Sequence, residues 1–212
     1  MPKLGQHFLN SNRIAKRIAD GAHIMHDDII LEIGPGKGML TDAILLHNPK
    51  KIIAVEKDPA LIQFLKEKYK NEKRTEIIEG DILKFLKSKR YKLLTTNYKL
   101  ISNIPYYLTS YLIRQLLENA LTKPKSITFM IQKEVADRIV AKPPRMNLLG
   151  LSVQAHATPK ILFRVSKHYF NPPPQVDSAV IHIERISGKF FKNIKKEKFF
   201  ALLHAGCQSK RK

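Results

Sequence analysis

Short apolar runs alternate with helical stretches along most of the chain, and this alternation restricts the fold more than any other feature. Strand-like runs lie at 29–33, 52–56, 76–78, 99–102, 127–131, 161–165 and 179–183, and helical patterns at 39–47, 59–69, 108–120, 132–140 and 148–157. Strands this uniformly apolar belong to a parallel sheet covered on both faces by the intervening helices. The last two runs read as a hairpin-like pair, so the expected architecture is α/β: a doubly wound, Rossmann-like sheet of seven mostly parallel strands with an antiparallel edge. Ahead of it, Ile14, Ile18 and Ala22 recur every fourth residue and predict a helix over 10–22 capped by Ser11 or Asn12. Pro143-Pro144 and Pro172-Pro173-Pro174 mark loops. Phe199, Leu202, Leu203 and Gly206 open another helix, but the chain stops at Ser209-Lys210-Arg211-Lys212 without a stop signal, the pattern of a polypeptide cut short.

With 212 residues the chain holds one large domain, expected over residues 1–186, followed at 187–212 by a basic linker and the first helix of an incomplete helical domain. No apolar run approaches the roughly 18 residues of a membrane span, and Met1-Pro2-Lys3-Leu4-Gly5 lacks the apolar core of a signal peptide, so a cytoplasmic protein with no membrane partner is expected. A single cysteine, Cys207, excludes an internal disulfide framework and a Cys-based zinc cluster, and no metal is implied. The balance of 38 Lys+Arg against 18 Asp+Glu gives a net charge of +20, which draws polyanions by counterion release and makes nucleic acid the favoured partner. From 185 onward there are nine Lys or Arg and one acid, Glu197.

Asn103-Ile104-Pro105-Tyr106-Tyr107 follows the apolar run Tyr98-Lys99-Leu100-Ile101-Ser102. At the carboxyl edge of a buried strand these residues offer an amide oxygen, carbonyls whose direction Pro105 fixes, and a flat aromatic face. Together they form a receptacle for a planar, amino-bearing ring: the Asn103 amide and Ile104 carbonyl accept both hydrogens of an exocyclic amine while Tyr106 covers the ring. Taken alone, the stretch reads equally as a strand-to-helix turn capped by Asn103 and punctuated by Pro105.

After the first run stands Glu32-Ile33-Gly34-Pro35-Gly36-Lys37-Gly38, whose glycines let a ligand approach the backbone at a helix start. The spacing is neither that of a dinucleotide fingerprint nor that of a nucleoside triphosphate loop. The second run ends in Glu56, 22 residues past Gly34, near the offset at which an acid reaches a ribose hydroxyl pair. The third is followed by Gly80-Asp81, where Asp81 can take an adenine amino group or simply cap a helix. An adenosine held by carboxylates without a pyrophosphate cradle points to S-adenosylmethionine.

These residues bring the chain to a known family: it resembles the KsgA-type ribosomal RNA adenine N6-dimethyltransferases, relatives of the erythromycin-resistance methylases within the class I S-adenosylmethionine-dependent fold. The resemblance is carried in family order by Gly5-Gln6-His7-Phe8-Leu9, the Gly34 loop, Glu56-Lys57-Asp58, Gly80-Asp81, Asn103-Ile104-Pro105-Tyr106-Tyr107, Gln132-Lys133-Glu134-Val135 and Phe170-Asn171-Pro172-Pro173-Pro174-Gln175-Val176-Asp177-Ser178-Ala179. It implies that His7 and Leu9 fold over the cofactor, that Gly34 touches its methionine portion and Gly36 also binds it, that Glu56 holds the ribose and Asp81 the adenine amine, and that Asn103 sits between cofactor and target. It also implies a target base sandwiched between Tyr106 and Phe170, with Asn103, Ile104, Pro105 and Tyr106 as the catalytic set. Gln175-Val176-Asp177-Ser178 is closer to the enzymes of small-subunit RNA than to the resistance methylases. The expected partner is therefore ribosomal RNA in an immature small subunit, met by a monomer. Two other expectations share the fold, a large-subunit resistance-type methylase and a non-catalytic RNA-binding or assembly factor; a DNA adenine methylase would share only the Asn-x-Pro-Tyr element.

Overall fold

Period-two alternation within the apolar runs splits the core into two layers, one on each face of a central sheet. The structure is a computed structural model that describes residues 7–88, 98–119 and 122–208. The central strands are β2 (Ile29–Ile33), β3 (Lys51–Glu56), β4 (Thr75–Glu79), β5 (Tyr98–Asn103), β6 (Ser126–Gln132), β7 (Thr158–Val165) and β9 (Ser178–Glu184). Leu31, Ile33, Ile53, Val55, Leu100, Phe129 and Ile131 face one layer, whereas Ile30, Ile52, Ile101 and Met130, their sequence neighbours, face the other. Both sets are nine-tenths or more buried, which is why the runs look continuously apolar.

The seven strands take the order β4-β3-β2-β5-β6-β9-β7, parallel from β4 through β6, with β9 inserted antiparallel between β6 and β7. The expected antiparallel edge is thus built by β9 and β7. On one face lie α1 (Asn12–Gly21) and α2 (Met39–Leu45), which bury Ile14, Ile18, Leu40 and Ile44. On the other face a 3-10 turn (Tyr106–Leu108) runs into α5 (Thr109–Arg114) and a π-turn (Gln115–Asn119), joined by α6 (Lys133–Val140) and α7 (Leu148–His156). The helix expected at 108–120 therefore forms in three geometries, and residue 120 lies outside the described residues. Of the two proposed caps for α1, Ser11 is the one used: its Oγ accepts from the Ile14 amide at 3.4 Å.

Three elements had no periodic signal because they are too short to show one. One is α4 (Ile82–Phe85), a single turn capped by Asp81 that follows β4; the helix expected at 59–69, by contrast, is present as α3 (Pro59–Lys68). β1 (Phe8–Leu9) and β8 (Phe170–Asn171) pair antiparallel, Phe8 with Asn171 and Leu9 with Phe170. The amino-terminal arm is thus tied down over residues 7–9, and Gly5-Gln6 lie outside the described residues. At the other end α8 (Lys196–Gln208) follows a 3-10 turn at Lys189–Phe191. Phe190, Phe191, Phe199 and Phe200 interlock there, with Phe191 4.7 Å from the buried His156 ring of α7.

Candidate active site

Strand order reverses between β2 and β5, so the loops leaving their carboxyl ends diverge to opposite faces and leave a crevice, the position at which open α/β sheets bind ligands. A cavity of about 380 Å³ occupies it. Beneath the crevice, the buried Ser102 donates its hydroxyl to the Ile33 carbonyl and locks the two strands together.

On the β2 side, Gly34 and Gly36 have φ of +61° and +60°, values that a residue with a Cβ adopts only with strain. Nothing lies within 4 Å of where a Gly34 Cβ would stand, so a ligand can reach the backbone; at Gly36 that place is taken by the Phe8 ring, 3.1 Å away. Glu56 ends β3, and because Asp58 caps α3 at once with Pro59 in the first turn, the chain bends back over the carboxylate. Its Oε1 accepts from the Lys57 and Asp58 amides at 2.8 and 3.0 Å, and its Oε2 from Gly36 at 3.2 Å. Asp81 uses Oδ1 to cap α4, accepting from Leu83 at 2.8 Å, while Oδ2 faces the Lys57 ammonium at 3.5 Å.

Across the crevice, Asn103 ends β5 and its Nδ2 donates to the His7 carbonyl at 3.3 Å. Among the described residues Oδ1 has no hydrogen-bond partner and is available as an acceptor. Ile104 is buried and its amide is held by the Met130 carbonyl at 3.2 Å. The Tyr106 hydroxyl shares a hydrogen bond of 2.8 Å with Ser178 of β9, and burial raises its pKa. The His7 ring lies 5.8 Å from that of Tyr106, tilted by 31°, and its Nδ1 is 2.8 Å from the Pro172 carbonyl.

The residues expected to hold the cofactor and the target base meet in this one cavity. His7 and Leu9 come from the arm, Gly34 and Gly36 from the first loop, Glu56 and Asp81 from the next two strand ends, and Asn103, Ile104, Pro105 and Tyr106 from the fourth. Phe170 reaches it too, though at 4% exposure it also belongs to the core with Leu9 and Val180. Lys133, by contrast, pairs with Asp137 on its own helix at 3.3 Å and does not line the cavity.

Sequence reasoning missed Glu32, Phe8 and the Ser178 anchor. Glu32 sits wholly buried at the cavity floor, where desolvation pushes its carboxyl up to about 8 although Thr41 donates to it at 2.7 Å. Its place before Gly34 was visible, but nothing local told its depth.

An adenosyl ligand fits these residues: the volume lies in the range of small-molecule sites, open space adjoins Gly34, and two carboxylates stand on consecutive strand ends. Fold and cleft together define a class I S-adenosylmethionine-dependent methyltransferase. Within that class, the family model for ribosomal RNA adenine dimethylase matches residues 1–212, and the chain belongs to that family, with ribosomal RNA as substrate and S-adenosylmethionine as methyl donor. It is 41% identical over 211 residues to ribosomal RNA small subunit methyltransferase A of Dehalococcoides mccartyi strain BAV1, covering 99% of this chain and 71% of the relative. Among solved structures it is similar to a dimethyladenosine transferase from Plasmodium falciparum, with 30% identity, TM-score 0.82, and 97% of this chain and 72% of that one covered. It is also similar to the 23S rRNA methyltransferase ErmE, with 26% identity, TM-score 0.79, and 93% and 77% covered.

Proposed function

We propose that the chain transfers methyl groups from S-adenosylmethionine to the N6 amine of adenosines in small-subunit ribosomal RNA, giving N6,N6-dimethyladenosine during ribosome maturation. The observation that carries this proposal is the convergence of Asn103 with Glu56 and Asp81 on one cavity at the sheet's switch point. The choice of small-subunit RNA rests on relatives such as the Dehalococcoides mccartyi protein, more similar in sequence than the large-subunit methyltransferase ErmE. In the same proposal the enzyme is a cytoplasmic monomer acting on immature small subunits. Residues 1–186 carry the methyl transfer, and the basic residues 187–212 add to RNA contact.

The cofactor supplies an electrophilic methyl group on a sulfonium. Glu56 would hold the ribose hydroxyls, Asp81 would accept from the adenine amine, and His7 and Leu9 would fold over the cofactor. An adenine amine is a poor nucleophile because its lone pair is delocalised into the ring. Asn103 Oδ1 and the Ile104 carbonyl accept its two N–H bonds, which makes the nitrogen more pyramidal and turns the lone pair toward the methyl group. Alignment of this kind is worth up to about 7–11 kcal/mol in well-oriented systems. The N–C bond would form as the S–C bond breaks, leaving a neutral thioether, and no side chain need act as general base because the methylated nitrogen can lose its proton to water. The target base leaves its stack to reach Tyr106 and Phe170.

Incubation with labelled S-adenosylmethionine and immature small subunits, followed by mapping of modified adenosines, tests the proposal. Label should enter small-subunit adenosines with the wild type and be abolished by Asn103→Ala, whose cofactor affinity should stay within about threefold of wild type. Label in large-subunit RNA alone would establish the resistance-type activity instead, and RNA binding without label would leave an assembly factor.

A further inference from the structure

The turn that leaves Asn103 carries an outward stripe for which the methyl-transfer site has no use. Along Tyr106–Leu108 and Thr109–Arg114 the exposed positions are Tyr107, Ser110 and Tyr111, while Thr109, Leu112 and Ile113 are buried in the core. Arg114 continues the same spacing, its side chain 42% exposed and 3.2 Å from Glu118. Tyr107 is 72% exposed and Tyr111 47%. Neither ring has a hydrogen bond or ring contact among the described residues. Solvated aromatic rings at successive turns of a helix lose nothing by being covered and offer flat faces of constant direction.

The stripe is also continuous with the cleft: Tyr107 lines the same cavity as Asn103 and Tyr106. Lys37 and Lys57 are exposed on the opposite wall of that cavity, Lys57 paired with Asp81, in a chain of net charge +20. Exposed aromatic faces ending in an arginine and leading away from a pocket for one extruded base, on a strongly basic chain, match the recurring construction of single-strand nucleic acid sites.

We propose that Tyr107 and Tyr111 form a stacking platform for the nucleobases adjoining the target adenosine, with Arg114 at its far end. The platform rests on the methyl-transfer reading of the cleft and extends it: the enzyme grips a short single-stranded segment rather than one base. Because every base has a π-face, the platform selects strandedness and not sequence. It holds the neighbours of the target apart from it, so the extruded adenosine cannot restack while its amine is at Asn103.

Its test uses the full chain and a single-stranded RNA oligonucleotide with an unmodified adenosine flanked by 2-aminopurine. Stacking on the platform quenches the probe, and binding is followed in parallel by anisotropy and by transfer of labelled methyl groups. Tyr107→Leu and Tyr111→Leu should each weaken RNA binding by roughly tenfold and relieve the quenching, with the affinity for S-adenosylmethionine unchanged. Tyr107→Phe and Tyr111→Phe, which keep the ring, should stay within about twofold of wild type. Both positions are exposed, and circular dichroism melts confirm folding of each variant. Leucine variants that bind and quench like wild type overturn the platform, as do phenylalanine variants that lose as much as the leucine ones. A wild type that labels neither the oligonucleotide nor immature small subunits overturns the activity instead, so the two failures are told apart.

Discussion

Tyr106 is fixed from both directions. Pro105 sets the backbone before it, with φ −54°, and its hydroxyl is held by Ser178, a fully buried residue 72 positions later in the chain. If that bond sets the angle of the stacking face, Ser178→Ala should lower turnover about fivefold, the worth of one neutral hydrogen bond, and should have no further effect in a Tyr106→Phe background. Equal losses in both backgrounds would make Ser178 a packing residue only. Glu56 invites a different measurement, because its carboxylate collects three backbone amides before any ligand arrives. Glu56→Gln keeps the shape and removes the charge, and calorimetry should show cofactor binding weakened by roughly tenfold, since charge-assisted bonds are about twice as strong as neutral ones. Undiminished affinity would take Glu56 out of the ribose site. Glu56 and Asn103 could be picked out in the sequence because a strand end and a specific side chain coincide in a few adjacent residues. The Ser178–Tyr106 bond could not, since nothing near either residue encodes the other.

Elements explain why the first loop tolerates so little change. Gly38 caps α2 with φ +79°, and a Cβ there would stand 2.3 Å from the Tyr69 hydroxyl. That hydroxyl in turn donates toward the Gly38 carbonyl at 2.9 Å and the Asp42 carboxylate at 2.7 Å, stitching the end of α3 to the start of α2. Gly38→Ala combines backbone strain with a collision, and should lower the thermal midpoint by about 4–8 °C. Gly188→Ala is the control: its φ is −97°, no atom lies within 4 Å of the added carbon, and its midpoint should move by less than about 1 °C. The seven main strands were legible because each contains an apolar run set off by a helical stretch or a turn. β1 and β8 were not, since a two-residue strand has no period and exists only through its partner.

For the whole molecule, buried titratable groups set opposing limits on stability. Glu32 is pushed from 4.5 up to about 8, so between those values the folded state binds a proton that the unfolded chain has lost. Its contribution is full below about 4.5 and is lost as pH rises through about 8. His156 and His182 are pushed by burial from 6.5 down to about 4, so theirs is present above about 6.5 and lost as pH falls through about 4. Urea unfolding of the cofactor-free protein should therefore show Glu32→Gln flattening the decline between about pH 6.5 and 8, where the histidines no longer oppose it, by on the order of 1 kcal/mol per pH unit. A slope unchanged by the substitution would mean that Glu32 is ionised in the fold. The sequence alone determined what is local or periodic: an α/β sheet, the order of its strands along the chain, a basic surface, and the side chains available at each strand's carboxyl end. Only the tertiary structure decided which of those ends are neighbours. Lateral strand order arises from long-range pairing, so the reversal between β2 and β5, the pinning of the arm against β8 and the burial of Glu32 came from contacts that no segment specifies by itself.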